Sequence, residues 1–70
     1  MSLFQSYPVL RQVIVNTKSD KAFAGVLWAR RGGYLVLRNA RLLQAGGSST
    51  DVDGEVVIDA SNVDFMQVVD

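Results

Sequence analysis

Short runs of β-branched and aromatic residues, separated by polar or glycine-containing turns, occupy the chain from Arg11 onward. Within these runs the residues follow the two-residue period that is typical of strands, rather than the 3.6-residue period of an amphipathic helix. The pattern predicts five strands, at residues 11–17, 22–30, 34–41, 54–59 and 62–69. We therefore expect an all-β fold.

The two faces of each predicted strand indicate which side chains form the core. Val13 and Val15 share one face of the first strand, and Leu35 and Leu37 share one face of the third. The second strand is apolar on both faces, so we expect both to be covered. In the fifth strand the apolar residues change face halfway along, which indicates a bulge or burial on both sides.

Polar residues and glycines mark the connections between these strands. Residues 18–21 predict a polar hairpin turn, and Gly32 and Gly33 can adopt the positive φ angles of a second tight turn. The stretch 44–51 is too polar and glycine-rich for regular structure, so we expect a loop over residues 42–53.

The opening segment predicts a short N-terminal helix or turn. Ser2 can cap a helix, whereas Pro8 disfavours helical geometry at the residue before it. We expect one or two helical turns that pack Leu3 and Phe4 onto the strands.

Five short antiparallel strands need an arrangement that protects their edges. A strongly bent sheet that closes into a small barrel is the simplest one. We predict a single domain over the whole chain, with an N-terminal helix or arm at 1–10, strands one to three at 11–41, the loop at 42–53 and strands four and five at 54–69.

A chain of 70 residues is short for a core that is stable alone, since a domain of about 60 residues buries only roughly 60% of its unfolded surface. The chain contains no cysteine for disulfides and no histidine for a structural metal, yet 49% of its residues are hydrophobic. These facts favour oligomerisation, in which apolar side chains cover a second copy. The candidate interface residues are Val57, Ile58, Phe65, Met66, Val68 and Trp28.

The charges are segregated along the chain, although the net charge is zero. Residues 1–41 contain seven bases and one acid, and residues 42–70 contain six acids and no base. Either early and late strands attract each other, within or between copies, or the bases form a face for nucleic acid.

The candidate nucleic-acid-binding residues are Arg30, Arg31, Tyr34 and Arg38. Guanidinium groups bind phosphates and a tyrosine ring stacks on an unpaired base; alternatively, these arginines pair with Asp59 or Asp64 of a neighbouring copy.

Small barrels of the SH3-like, OB and Sm-like types all fit this pattern, and the order of the motifs resembles that of the Sm and LSm family, to which bacterial Hfq belongs. The resemblance rests on Val13 and Val15, then Phe23–Leu27 with its Gly-x-Leu, then Leu35–Ala40, and finally the hydrophobic strands around Glu55–Phe65. It implies a ring of about five to seven copies, in which the fourth strand of one copy pairs with the fifth strand of the next.

The same resemblance implies that the family's uridine pocket is absent. That pocket uses an Asp, a stacking residue and an Asn from the turn of the first motif, and the Arg of an Arg-Gly pair from the second. Here Arg31 stands where the Asp is expected, Gly33 and Tyr34 stand at the stacking and Asn positions, and Asp59 and Ala60 replace Arg-Gly.

Other functions find little support in the residues. Without histidine or cysteine, a serine or threonine nucleophile has no obvious base, so we do not expect an enzyme. Asp51–Glu55 is similar to part of a calcium loop, but Ala60 occupies the position of the bidentate Glu. We expect no cofactor, no metal and no small-molecule substrate.

No stretch reaches the roughly 18 apolar residues of a membrane span, so a cytoplasmic protein is expected.

Two hypotheses follow from the sequence. The first is a homo-oligomeric Sm-like ring that binds RNA, or single-stranded DNA, through a basic surface other than the uridine pocket. The second is a ring that serves only as a structural, assembly or protein-interaction module, of the kind found in phages and mobile elements.

Overall fold

The computed structural model describes residues 7–70, which form one bent antiparallel sheet. Its strands are β1 Gln12–Thr17, β2 Ala22–Arg31, β3 Tyr34–Leu43, β4 Ser49–Asp51, β5 Val56–Asp59 and β6 Val63–Val68. Within these residues the only helical elements are two 3₁₀ turns, Ala45–Gly47 and Ala60–Asn62, so none is a helix able to cross a membrane. The expected all-β, strongly bent sheet is confirmed.

The order of neighbouring strands is β4-β3-β2-β1-β6, and β5 also pairs with β3. The long strand β3 therefore has two partners on one side. Its end pairs with β4, where Leu43 faces Ser49, and its beginning pairs with β5, where Tyr34 faces Asp59.

Two bulges bend the long strands. In β3 two residues, Asn39 and Ala40, lie opposite the single residue Gly25 of β2, and Asn39 takes a positive φ of 51°. In β2, Trp28 is an extra residue between Leu27 and Ala29, whose partners Leu37 and Val36 are adjacent in β3. Because bulges bend and twist a strand, they account for the bend of the sheet at β2 and β3.

Two backbone hydrogen bonds join the connection between β5 and β6 to the turns of the other strands. The N–H of Ala60 donates to the carbonyl of Gly33 at 2.8 Å, and the N–H of Lys18 donates to the carbonyl of Asn62 at 2.7 Å. The connection between β5 and β6 thus touches both the β1–β2 turn and the β2–β3 turn.

The core lies on the concave side of the sheet. Its centre consists of five fully buried side chains: Val13, Val15, Leu27, Leu35 and Leu37. Fully burying a Val or Leu side chain contributes roughly 1.5–3 kcal/mol, so this cluster is the main source of the monomer's stability. The predicted inner faces of the first and third strands are confirmed.

The predicted loop over residues 42–53 is wrong in part, because β3 continues to Leu43 and Ser49–Asp51 forms β4. The residues of β4 are polar, but all three are exposed because β4 is an edge strand. Their polar side chains therefore stay in water, and pairing with β3 does not bury them. Only the tip is a tight turn, in which the N–H of Gln44 donates to the carbonyl of Ser48 at 2.9 Å.

At the N-terminus, residues 7–11 form a turn and not a helix. The N–H of Arg11 donates to the carbonyl of Pro8 at 3.2 Å, and Leu10 takes a positive φ of 68°. A turn is one of the two alternatives that the sequence predicts, and Pro8 favours it because proline disfavours helical geometry at Tyr7. The predicted packing of Leu3 and Phe4 lies outside the described residues.

The predicted bulge in the last strand is confirmed. The register between β1 and β6 shifts between Asn16 and Thr17, which leaves Asp64 unpaired between Val63 and Phe65. After the bulge, Met66 lies opposite the buried Val15 on the core side.

Candidate assembly and nucleic-acid interface

The four candidate nucleic-acid residues do not form one surface. Arg30 pairs with the buried Leu35 across the β2–β3 hairpin and so lies on the core side, with its guanidinium carbon 5.0 Å from the centre of the Tyr7 ring. Arg31 pairs with Tyr34 and lies on the opposite face. Arg30 is therefore separated from the other candidates.

Arg38 lies on the outer face and is engaged by two neighbours. Its guanidinium carbon is 4.0 Å from the centre of the Trp28 ring, and its Nε donates to Glu55 Oε2 at 2.9 Å. At exposed sites a cation–π contact is worth about 0.5–1 kcal/mol, and an ion pair about 0.2–1 kcal/mol. Arg38 thus stabilises its own subunit, and Trp28, still 39% exposed, is partly covered by it.

Arg31 and Tyr34 are the exposed pair at the β2–β3 turn. Tyr34 is 51% exposed, and neither ion pair found among residues 7–70 involves Arg31. Asp59 is the cross-strand neighbour of Tyr34, but its carboxylate accepts hydrogen bonds from the backbone N–H and the hydroxyl of Ser61 at 2.9 and 2.8 Å. Both bonds lower the pKa of Asp59 below its usual value, and the bond from the backbone N–H has the larger effect.

Both of those ion pairs join the basic part of the chain to the acidic part. Arg11 Nε lies 2.7 Å from Asp70 Oδ1, and Arg38 Nε lies 2.9 Å from Glu55 Oε2. The segregated charges therefore attract each other within the subunit, as one of the two interpretations of the sequence requires.

Among residues 7–70 the strands β4, β5 and β6 each have one free edge; the edge of β4 is polar, and those of β5 and β6 carry exposed apolar side chains. The free edge of β5 is the first of these two apolar edges. Because the N–H of Ala60 bonds to Gly33 and antiparallel pairs alternate, the backbone groups of Val57 and Asp59 point away from β3. The side chain of Val57 is 57% exposed, whereas that of the predicted interface residue Ile58 is 6% exposed and belongs to the subunit's own core.

The free edge of β6 is the second. The N–H of Val69 donates to the carbonyl of Gln12 at 2.9 Å, so the same alternation directs the backbone groups of Met66 and Val68 away from β1. Phe65 and Val68 are 53% and 44% exposed. An edge of this kind is a template for a further strand.

A groove of about 300 Å³ lies beside the start of β6 and the β1–β2 turn. Its lining residues are Asn16, Thr17, Asp20, Lys21, Ala22, Leu43, Asp64 and Phe65. The sequence pattern does not reveal this groove, because it brings together residues from four separate segments; the change of face in the last strand is the one signal that points to Asp64. No group of acidic side chains in the part of the chain described could hold a metal ion.

No protein-family model matches the sequence, and no curated protein is significantly similar to it. Two similar solved structures are a heptameric archaeal Sm protein and the P. aerophilum SmAP1 heptamer. The first has a TM-score of 0.76 at 24% identity over 89% of this chain and 90% of its own. The second has a TM-score of 0.77 at 24% identity over 89% of this chain and 82% of its own. The chain therefore has the Sm fold, which confirms the resemblance at the level of the fold.

Proposed function

We propose that this chain is a structural protein that assembles into a closed ring of identical copies. In this ring the free edge of β5 pairs with the free edge of β6 of the next copy. The observation that carries the proposal is that both edges are open and bear exposed apolar side chains: Val57 on β5, and Phe65 and Val68 on β6. Pairing them covers these side chains and leaves neither edge exposed to aggregation.

The contact joins two different patches of the molecule, so it is heterologous and gives either a ring or an open filament. Both similar solved structures are heptamers, which supports closure. We propose antiparallel pairing, which is slightly more stable per residue than parallel pairing, and about five to seven copies.

The experiment is light scattering coupled to size-exclusion chromatography. The unmodified protein should elute as a single species of about five to seven monomer masses. Val57→Asp and Phe65→Asp should each convert it to smaller species, because each replaces an exposed apolar side chain of the paired edges by a carboxylate. Met66 is not used for this test, because its side chain packs against the core of its own subunit. Ser48→Asp, at the exposed tip beyond β3, is the matched control and should assemble normally. A monomeric unmodified protein would refute the proposal.

RNA binding by the ring is a second candidate function, which the exposed Arg31 and Tyr34 favour. A ring would repeat this pair around one opening, and repeated phosphate contacts strengthen binding and steepen its dependence on salt. Tyr34 offers a ring face for an unpaired base.

Labelled single-stranded RNA at low and moderate salt tests this candidate. Tyr34→Ala should weaken binding, whereas Arg30→Ala should have little effect because Arg30 lies on the other face against Tyr7. The ring is an assembly module alone if it binds no RNA at either salt concentration and if the ultraviolet spectrum of the purified protein shows no copurified nucleic acid.

A further inference from the structure

We infer that the β2–β3 turn of one copy docks in the groove beside β6 of the next copy, where Arg31 pairs with Asp64. This inference rests on the proposed ring and adds a specific polar contact to its interface. The partner is a second copy of the chain, and the contact is a guanidinium–carboxylate pair.

The turn that carries Arg31 has an open side. A Cβ atom built on Gly32 or Gly33 would meet no heavy atom within 4 Å, although the carbonyl of Gly33 accepts a hydrogen bond from the N–H of Ala60 in the β5–β6 connection. Of the other bases on the basic half, Arg11 and Arg38 already have acidic partners, and Arg30 lies over Tyr7. Arg31 is thus the cation that the turn offers to a neighbour.

The groove has the complementary charge. Two carboxylates, those of Asp20 and Asp64, line it with one base, Lys21, and Phe65 supplies an exposed apolar wall. Neither carboxylate takes part in an ion pair among residues 7–70. Asp64 is the bulged residue of β6, so it lies in the edge strand itself.

The strand pairing brings these two sites together. Tyr34 lies opposite Asp59, so the turn is at the C-terminal end of β5. Antiparallel pairing places that end beside the N-terminal end of the next copy's β6, where Asp64 lies. Asp59 is a poorer partner for Arg31, because its carboxylate already accepts two hydrogen bonds from Ser61.

A charge swap tests the inference. Arg31→Glu and Asp64→Arg should each raise the concentration at which half the oligomer dissociates by about tenfold or more, since like charges then face each other. The double variant, Arg31→Glu with Asp64→Arg, should recover most of that loss. Arg41→Glu, at the other end of β3 opposite Asp51, is the matched control and should leave the midpoint unchanged. Both exchanged residues are exposed, and circular dichroism checks that each variant is folded.

The outcomes separate this inference from the ring itself. If the unmodified protein assembles but the single variants dissociate no more easily, or the double variant is no more stable than the singles, the ion pair is refuted and the ring stands. If Arg31→Glu abolishes RNA binding without changing the midpoint, Arg31 is a nucleic-acid residue instead. A monomeric unmodified protein would remove both proposals together.

Discussion

The Cα atom of Ala40 lies 3.2 Å from the position that a Cβ atom would occupy at Gly25, and the carbonyl oxygen of Arg38 lies 3.0 Å from it. These distances show that β2 and β3 approach so closely at the Asn39 bulge that a side chain at position 25 would crowd the backbone of β3. The glycine of the Gly-x-Leu motif is therefore explained by packing between strands and not by a turn.

Gly25→Ala should destabilise the protein by roughly 1–3 kcal/mol, because the added methyl group forces backbone atoms apart in a well-packed region. Gly33→Ala is the control, since a Cβ there meets nothing within 4 Å. Chemical denaturation of both variants measures the difference. Equal stability of the two variants would contradict the close approach.

Leu10 is a bulky residue at a positive φ of 68°, and its side chain is 64% exposed. The left-handed conformation costs a residue with a side chain roughly 1–2 kcal/mol. Leu10→Gly should relieve this strain, so we expect it to be about 1 kcal/mol more stable than Leu10→Ala, which keeps the strain. Denaturation midpoints of the two variants compare them directly; greater stability of the alanine variant would contradict the strained turn.

Trp28 is the only tryptophan in the chain, so its fluorescence reports on Arg38. Arg38→Ala should shift the emission of Trp28 to longer wavelength and lower the stability by about 1 kcal/mol, because it removes the cation–π contact and the ion pair with Glu55. Lys18→Ala, in the β1–β2 turn, is a control that should change neither. An unchanged spectrum in Arg38→Ala would show that the stack does not form in solution.

The carboxyl group of Asp70 has a pKa below its usual value, because the backbone N–H of Gln12, and then the side chain of Arg11, donate hydrogen bonds to it. Its pKa in the folded protein is thus below its pKa in the unfolded chain. The hydrogen bonds to Asp70 therefore stabilise the folded protein fully at pH values above the unfolded pKa, and this stabilisation is lost as the pH falls through the folded pKa. Asp70→Asn should be less stable than the unmodified protein at neutral pH, and the difference should shrink in acid. Asp53→Asn, in an exposed connection, is the matched control and should leave the stability at neutral pH nearly unchanged.

The alternation of apolar residues was sufficient to predict most of the fold. It placed Val13, Val15, Leu35 and Leu37 in the core, because one face of each strand had to be buried. It could not predict β4, since a polar edge strand owes its pairing to the length of β3 and not to its own residues.

The candidate site was harder to predict for a specific reason. Simple alternation along β2 puts Arg30 on the same face as Trp28. The bulge at Trp28 inserts one residue and reverses the faces beyond it, so that Arg30 turns toward Tyr7 and Arg31 toward the outer face. Pairings such as Arg38 with Glu55 depend on the tertiary fold, which local patterns do not contain.

Assembly through the free edges of β5 and β6 can be measured by native mass spectrometry of the unmodified protein beside Val57→Asp. We expect one closed species of fixed copy number for the unmodified protein and a monomer or small fragment of the ring for the variant. A monomer in both samples, or an unchanged oligomer in Val57→Asp, would contradict it.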